Sequence, residues 1–172
     1  MEYADQEFES RTFKNVDFNG QDLSKASFTD CIFENCNLSN VKINGTRFQN
    51  VNFKNCKILG VNFSECNTLL LKLGFEECLI SNAIFSDINL KNTMFLHCKV
   101  NDCDFINTDL TKSSFEGSNL KGSNFQNTNL NFASFKDAKE YFINPNQNNL
   151  KKAKFSLPEA ISLLQVFDID IV

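Results

Sequence analysis

Tryptophan is absent from this chain, histidine occurs only at His97, and proline only at Pro145 and Pro158. A lone histidine leaves no second imidazole for a metal site or an acid–base pair, and His97 falls where the chain turns toward water, the ordinary place for a solvated ring. No GxGxxG, P-loop, GxSxG or HExxH sequence occurs, so the phosphate cradles, nucleophile elbows and zinc helices that those motifs build have no starting material. Catalysis, a cofactor and a small-molecule substrate are therefore not expected. No apolar run reaches the roughly 18 residues of a membrane span. The opening MEYADQEFES has neither a basic segment nor an apolar one behind it, so no signal peptide is expected and the cytoplasm is the expected compartment.

Positive charge is also scarce. The 17 Lys and Arg against 21 Asp and Glu give −4 overall, which argues against a groove for nucleic acid. Residues 1–90 carry 12 acids and 8 bases, residues 91–172 nine of each. The seven cysteines are an odd number without a CxxC pair, and all sit in one kind of position described below. They read as buried, reduced thiols that serve as small hydrophobes, not as disulfides or zinc ligands.

What the chain has in abundance is phenylalanine, and 16 of its 19 Phe fall on a lattice of period five. From Ala83 to Phe135 every fifth residue is apolar, from Phe85 and Leu90 through to Leu130 and Phe135. Two residues before each stands a small or medium side chain, as in Ala83, Cys98, Thr108 and Ser118. A period of five belongs neither to a helix nor to a flat strand, so the chain is a repeat architecture. In extended backbone the lattice residue and the small residue point the same way, inward, and the residues between them point out. The position two after the lattice residue is rich in Asn, Gly and Asp, which suits a turn. Like residues recur at a lag of 20, as in Phe8, Phe28, Phe48 and Phe13, Phe33, Phe53. The economical solution is an all-β coil of four five-residue sides. About seven coils at about 4.8 Å make a rod roughly 35 Å long.

The lattice is interrupted twice. Between Phe63 and Phe75 it slips by two residues, across SECNTLLLKLG, so a small protrusion is expected near 66–74. After Phe135 it decays, because Glu140 and Pro145 fall on lattice positions, and residues 139–150 read as an irregular coil. At the start, Gln6 and Arg11 occupy the small-residue slots and suit a solvated end. Residues 1–155 thus form the repeat domain and 156–172 a separate module. Ser156 and Glu159 read as a capping box with Pro158 in the first turn. Leu157, Ala160, Ile161, Leu164 and Phe167 make a helical stripe. Asp-Ile-Asp-Ile-Val at the end alternates like an edge strand.

The motif of a small residue, Asp or Asn, then Leu or Phe, seen at Thr108-Asp109-Leu110 and Ser118-Asn119-Leu120, resembles that of the pentapeptide repeat proteins, and the resemblance implies a right-handed quadrilateral β-helix. Lys154-Phe155-Ser156-Leu157-Pro158-Glu159-Ala160-Ile161-Ser162-Leu163-Leu164, followed by Ile169-Asp170-Ile171-Val172, looks like the C-terminal helix and strand of the quinolone-resistance (Qnr-type) members and their mycobacterial relative. That likeness implies a homodimer held head to head by Leu157, Ile161, Leu164, Phe167, Ile169 and Ile171. It further implies an acidic rod that imitates duplex DNA, binds DNA gyrase or topoisomerase IV, and modulates fluoroquinolone sensitivity. Qnr-type proteins that protect gyrase usually bear two long loops, whereas this chain has only the slip at 66–74.

Two functions follow as expectations. In the first, the rod binds a type II topoisomerase as a duplex mimic, with Asp102, Asp104 and Asp109 as contacts. In the second it is an interaction module for another partner and has no role in resistance, using Leu69, Leu70 and Leu71 or an outward strip such as Ile84 and Met94.

Overall fold

Inward and outward residues alternate as the period of five requires, and this alone shapes the backbone. The computed structural model describes residues 3–170 and is an all-β, four-sided parallel β-helix of about seven coils with one short helix at its end. The first side stacks Glu7–Glu9, Ser27–Thr29 and Arg47–Gln49. The second stacks Thr12–Lys14, Ile32–Glu34, Val51–Lys54, Leu73–Glu76 and Met94–Leu96. The third stacks Lys57–Leu59, Leu79–Ser81 and Lys99–Asn101. The fourth is joined by single bridges such as Asn62 to Ile84 and Ile84 to Asp104.

Each corner sits two residues after the lattice position, with positive φ. Asn15, Asn35, Asn55 and Asn82 lie between 50° and 55°, a region that Asn enters at little cost because its side chain bonds locally. One corner departs from the rule: after Phe63 the chain turns through a short 3₁₀ segment, Phe63–Glu65, whose Ser64 N–H is capped by the Asn62 side chain.

Phenylalanine rings fill the tube in files. Phe8 stacks on Phe28 with centroids 5.1 Å apart and planes 13° from parallel. Phe95 stacks on Phe115 at 4.8 Å and 3°, while Phe95 and Phe105, on different sides, meet edge to face at 90°. Offset stacks and edge-to-face pairs are both favoured by the ring quadrupole. Tyr3 closes the first coil, its ring 4.9 Å from Phe18, and Arg11 lies over Phe8 at 5.7 Å.

All seven cysteines are free and buried. They are more than small hydrophobes, however. Five of them, Cys31, Cys36, Cys56, Cys78 and Cys103, like most Ser and Thr in the slot, donate to the carbonyl of a lattice residue one coil earlier. Cys36 Sγ donates to Phe13 O at 3.3 Å, Thr108 Oγ1 to Phe85 O at 2.7 Å, and Asn148 Nδ2 to Phe125 O at 2.9 Å. A buried carbonyl without a donor is costly, so these contacts explain why the slot takes Cys, Ser and Thr as readily as Ala.

The slip lies at residues 68–72. Arg47 still pairs with Asn67, but Val51 pairs with Leu73, so two extra residues are accommodated between. Leu69 and Leu70 project, 66% and 70% exposed, whereas Leu71 turns in and packs on the core. In the last coil the third side is short: Lys139 pairs with Asn119, and Ile143 already lies beneath Phe125. Tyr141 and Ile143 fill the interior where Glu140 and Pro145 could not. A turn at Asn144–Gln147 restores the two residues, and Asn149 pairs with Asn129 again.

The C-terminal helix forms at Glu159–Phe167 but is wound as a 3₁₀ helix. The expected capping box is absent, because Ser156 Oγ accepts the Asp137 N–H at 3.0 Å and ties the module to the coil instead. The expected terminal strand is not formed over 168–170, where Asp168 turns left-handed with φ of 50°. Ile171 lies outside the described residues.

Candidate functional site

With the interior filled by side chains, everything that can meet a partner is on the four outer walls, the corners and the cap. Outward residues form files along the rod, so the value of each charge depends on its neighbours one coil above and below. On the second side the file after the lattice residue reads Lys14, Glu34, Lys54, Glu76, Leu96, Glu116, Lys136, alternating in sign through most of its length. Ion pairs close Lys14 to Glu34 at 2.9 Å, Lys54 to Glu76 at 3.1 Å and Lys136 to Glu116 at 2.6 Å. These carboxylates are already answered within the wall.

The fourth side differs. Asp104 stands in its central file, Asp102 on the corner before it, and Glu65 and Asp87 on the corner after it. Among the described residues, none of these four carboxylates has a Lys or Arg within ion-pairing distance. Glu65 accepts amide hydrogens from Asn44 at 2.8 Å and Asn62 at 2.9 Å, and Asp87 accepts one from Asn107 at 3.0 Å. Those bonds orient the carboxylates without neutralising them. Three successive coils therefore carry an acidic stripe. Nearer the N-terminal end the same side holds Lys42 beside Asp22, whose pKa is lowered by the Ser24 hydrogen bonds and by that lysine.

Asp102 and Asp104, expected as contacts, are thus brought together, and the register adds Glu65 and Asp87, which sequence spacing alone did not single out. Asp109 is not with them. It lies on the first side, paired with Lys91 at 3.1 Å and accepting from Thr111 Oγ1 at 2.6 Å. Burial raises the Asp109 pKa, but the Thr111 hydrogen bonds and Lys91 outweigh it and hold the carboxyl below its ordinary value.

The third side is the electrostatic opposite. Its outer file runs Asp17, Asn37, Lys57, Leu79, Lys99, Asn119, Lys139 by successive pairing, and Lys121 stands beside it.

Two apolar features complete the surface. Leu70 overhangs a shallow groove of about 310 Å³ bordered by Leu71, Lys72, Asn89 and Lys91, and Leu69 projects beside it in the chain. At the C-terminal end Leu157, Ile161, Leu164, Phe167 and Ile169 are between 40% and 78% exposed, while Leu163 packs on the core. The helix therefore turns one face to the last coil and leaves the other bare. Among the described residues no three His, Cys, Asp or Glu side chains are grouped to hold a metal ion, and no helix is long and apolar enough to cross a membrane.

Comparison with known proteins bears on this architecture. A trypsin-treated variant of QnrB1, a plasmid-mediated fluoroquinolone resistance protein, superposes with a TM-score of 0.53 at 19% identity, covering 99% of this chain and 92% of that one. Rfr23 from the cyanobacterium Cyanothece 51142, a pentapeptide repeat protein, matches 89% of this chain and 86% of its own at 10% identity and a TM-score of 0.31. No curated protein matches the chain by sequence. The family model described as pentapeptide repeat region matches residues 6–74 and 67–135, and the chain belongs to the pentapeptide repeat family.

Proposed function

We propose that this protein is a non-catalytic binding rod that pairs head to head through its cap and offers the acidic stripe of its fourth side to the basic, DNA-binding surface of a type II topoisomerase. One observation carries the reading: among the described residues Glu65, Asp87, Asp102 and Asp104 share one stretch of wall with no Lys or Arg in ion-pairing distance, whereas Glu34, Glu76, Asp109 and Glu116 on the other walls are ion-paired. A row of unanswered carboxylates is what a surface shaped for backbone phosphates can accept in place of DNA. The likeness to QnrB1, a fluoroquinolone resistance protein, nominates gyrase or topoisomerase IV among DNA-binding enzymes. The bare apolar face of the cap supports the homodimer, with Leu157, Ile161, Leu164, Phe167 and Ile169 as its contacts.

The test is a gyrase supercoiling assay with and without ciprofloxacin. The protein at micromolar concentration is expected to inhibit the enzyme or protect it from the drug, and the Asp87→Asn/Asp102→Asn/Asp104→Asn variant to lose the effect. An unaltered enzyme in both arms overturns the topoisomerase reading. Leu164→Asp is expected to give a monomer by light scattering, and an unchanged dimer places the interface elsewhere.

A second reading rests on Leu69 and Leu70, the most exposed apolar side chains of the coil. Here the rod is an interaction module for a partner that is not a topoisomerase, gripped at that tip. Leu70→Asp then leaves any gyrase effect untouched, whereas loss of the gyrase effect in Leu70→Asp removes this alternative.

A further inference from the structure

The third and fourth sides are adjacent walls of one square coil, and they match each other level by level. In the third coil Lys57 stands on the third side and Glu65 at the edge of the fourth. In the next coil the exposed Leu79 and Ile84, 39% and 37% accessible, occupy the corresponding central files. In the coil after that, Lys99 on the third side corresponds to Asp104 on the fourth. Base against acid, apolar against apolar, base against acid is the order on both walls, over a span of about 10 Å at the strand spacing. None of Lys57, Lys99, Glu65 and Asp104 is in an ion pair among the described residues.

Matching by level selects one kind of occupant. A partner of unrelated shape has no reason to repeat the rise of this coil, but a second copy lying parallel to the first repeats it at every level. The geometry points to lateral self-association of this chain, with the third side of one copy docked on the fourth side of the next, Lys57 on Glu65, Leu79 on Ile84 and Lys99 on Asp104. The contact is heterologous, since two different patches meet. Adjacent walls of a square coil differ by a quarter turn, so each contact rotates the next copy by a quarter turn and four parallel copies close into a ring. The corner that carries Asn82 and Asp102 then lines the central axis.

An exposed ion pair contributes little alone, and the association depends on two such pairs flanking an apolar contact in register. It is opposed where Glu77 and Asp87 face each other along the outer edges in the fourth coil and where four copies of Asp102 converge on the central axis. In the first coil Asp17 on the third side also meets Asp22 on the fourth, two like charges. This surface is distinct from the cap, and its dependence on salt separates it from the apolar cap contact. It overlaps the stripe assigned to the topoisomerase but does not depend on that assignment.

Mass by light scattering or sedimentation, in the Leu164→Asp background and in the full chain, tests it at salt concentrations of about 0.01 M and about 1 M, where the screening length falls from about 30 Å to about 3 Å. The Leu164→Asp protein is expected to have about fourfold the 19.6 kDa mass of the chain at low salt and the mass of one chain at high salt. Lys99→Glu and Asp104→Lys are each expected to lose the fourfold mass. An equimolar mixture of the two is expected to recover it, because alternating copies restore every opposed pair. Asp17→Lys is expected to hold the assembly to higher salt. A single-chain mass at low salt, retention of the assembly in Lys99→Glu, or a mixture that stays dissociated while both variants keep their far-ultraviolet circular dichroism overturns the inference.

Discussion

The coils up to Cys103 and the coils beyond it solve the same packing problem with different atoms. In the former the slot residue is often a thiol, and its contact with the lattice carbonyl one coil earlier is long, from 3.3 Å at Cys36 to 3.8 Å at Cys103. In the latter the donor is a hydroxyl at 2.7 to 2.8 Å, from Thr108, Ser118, Ser123 and Thr128. The rings change earlier, at the slip. Early files stack with planes up to 18° apart and meet their neighbours at angles as low as 50°. Phe85, Phe105 and Phe125 stack within 5° and cross the neighbouring file at 79° to 90°. The files also change place: before the slip they lie on the adjacent first and second sides, with single Phe18 and Phe63 on the third and fourth, and after it on the opposite second and fourth sides. The lesson is that the backbone coil is indifferent to which sides hold the rings, while the rings pack most regularly once their files face each other across the tube.

The largest expected difference between the two regions is their response to alkali. Burial pushes the Cys66 thiol up to about 11 and the Cys103 thiol up to about 12, from an ordinary value of 9.0. The unfolded chain loses those protons first. Their contribution to stability is therefore complete below pH 9 and is lost as pH rises toward 11 or 12. The thiol coils are expected to open first, which hydrogen exchange followed up that pH range would show as early loss of protection in residues 31–103. At neutral pH an alkylating reagent should modify none of the seven cysteines until the protein is unfolded. Uniform loss of protection along the rod would break the distinction.

Next in size is the hydrogen bond itself. Among the described residues, Phe85 O has no donor other than Thr108 Oγ1. Thr108→Val is expected to cost about 1–3 kcal/mol in urea denaturation, the range for a buried acceptor left alone. Cys103→Val removes a contact of 3.8 Å and is expected to cost at most about 1 kcal/mol, below the middle of the range for a single neutral bond. Equal losses at the two sites would mean that the slot acts by volume alone.

Much of this was legible in the residues, and the remainder was hidden for identifiable reasons. Period five, the lag of 20 and the asparagine corners follow from local sterics, so Phe8 to Phe63 and Phe85 to Phe135 read directly as an interior. The slip could be located between Phe63 and Phe75, but which leucines project depends on where pairing resumes, and Leu71 turned in. The acidic wall was only half visible, because Asp104 and Asp109 are five residues apart and that places them on different sides, whereas Glu65 comes into file with Asp87 only through the insertion at the slip. Cysteine looked like a hydrophobe because its donor role needs a carbonyl from another coil. Ser156 suited a helix cap by spacing, but the Asp137 N–H on the coil below competes for the same oxygen.

The smallest expected effect concerns the coil just before the rings change sides. A gap of about 10 Å³ remains there, lined by apolar side chains including Leu38, Val41, Ile43, Phe48, Val61 and Phe63. Such a space is too small and too apolar to hold water, so its lining atoms simply lack partners. Val61→Ile puts one methylene into it and is expected to raise stability by about 0.5–1 kcal/mol, about the value of one buried methylene. One coil later the same slot file holds Ala83, 1% exposed, beneath the tightly stacked Phe85. Ala83→Val is expected to destabilise by about 1–3 kcal/mol through overpacking. Opposite signs at Val61 and Ala83, measured by thermal unfolding of the two variants, would place the loosely packed interior before the slip and the tightly packed one after it. The same sign at both would show that the regularity of the later rings reflects their change of sides and owes nothing to closer packing.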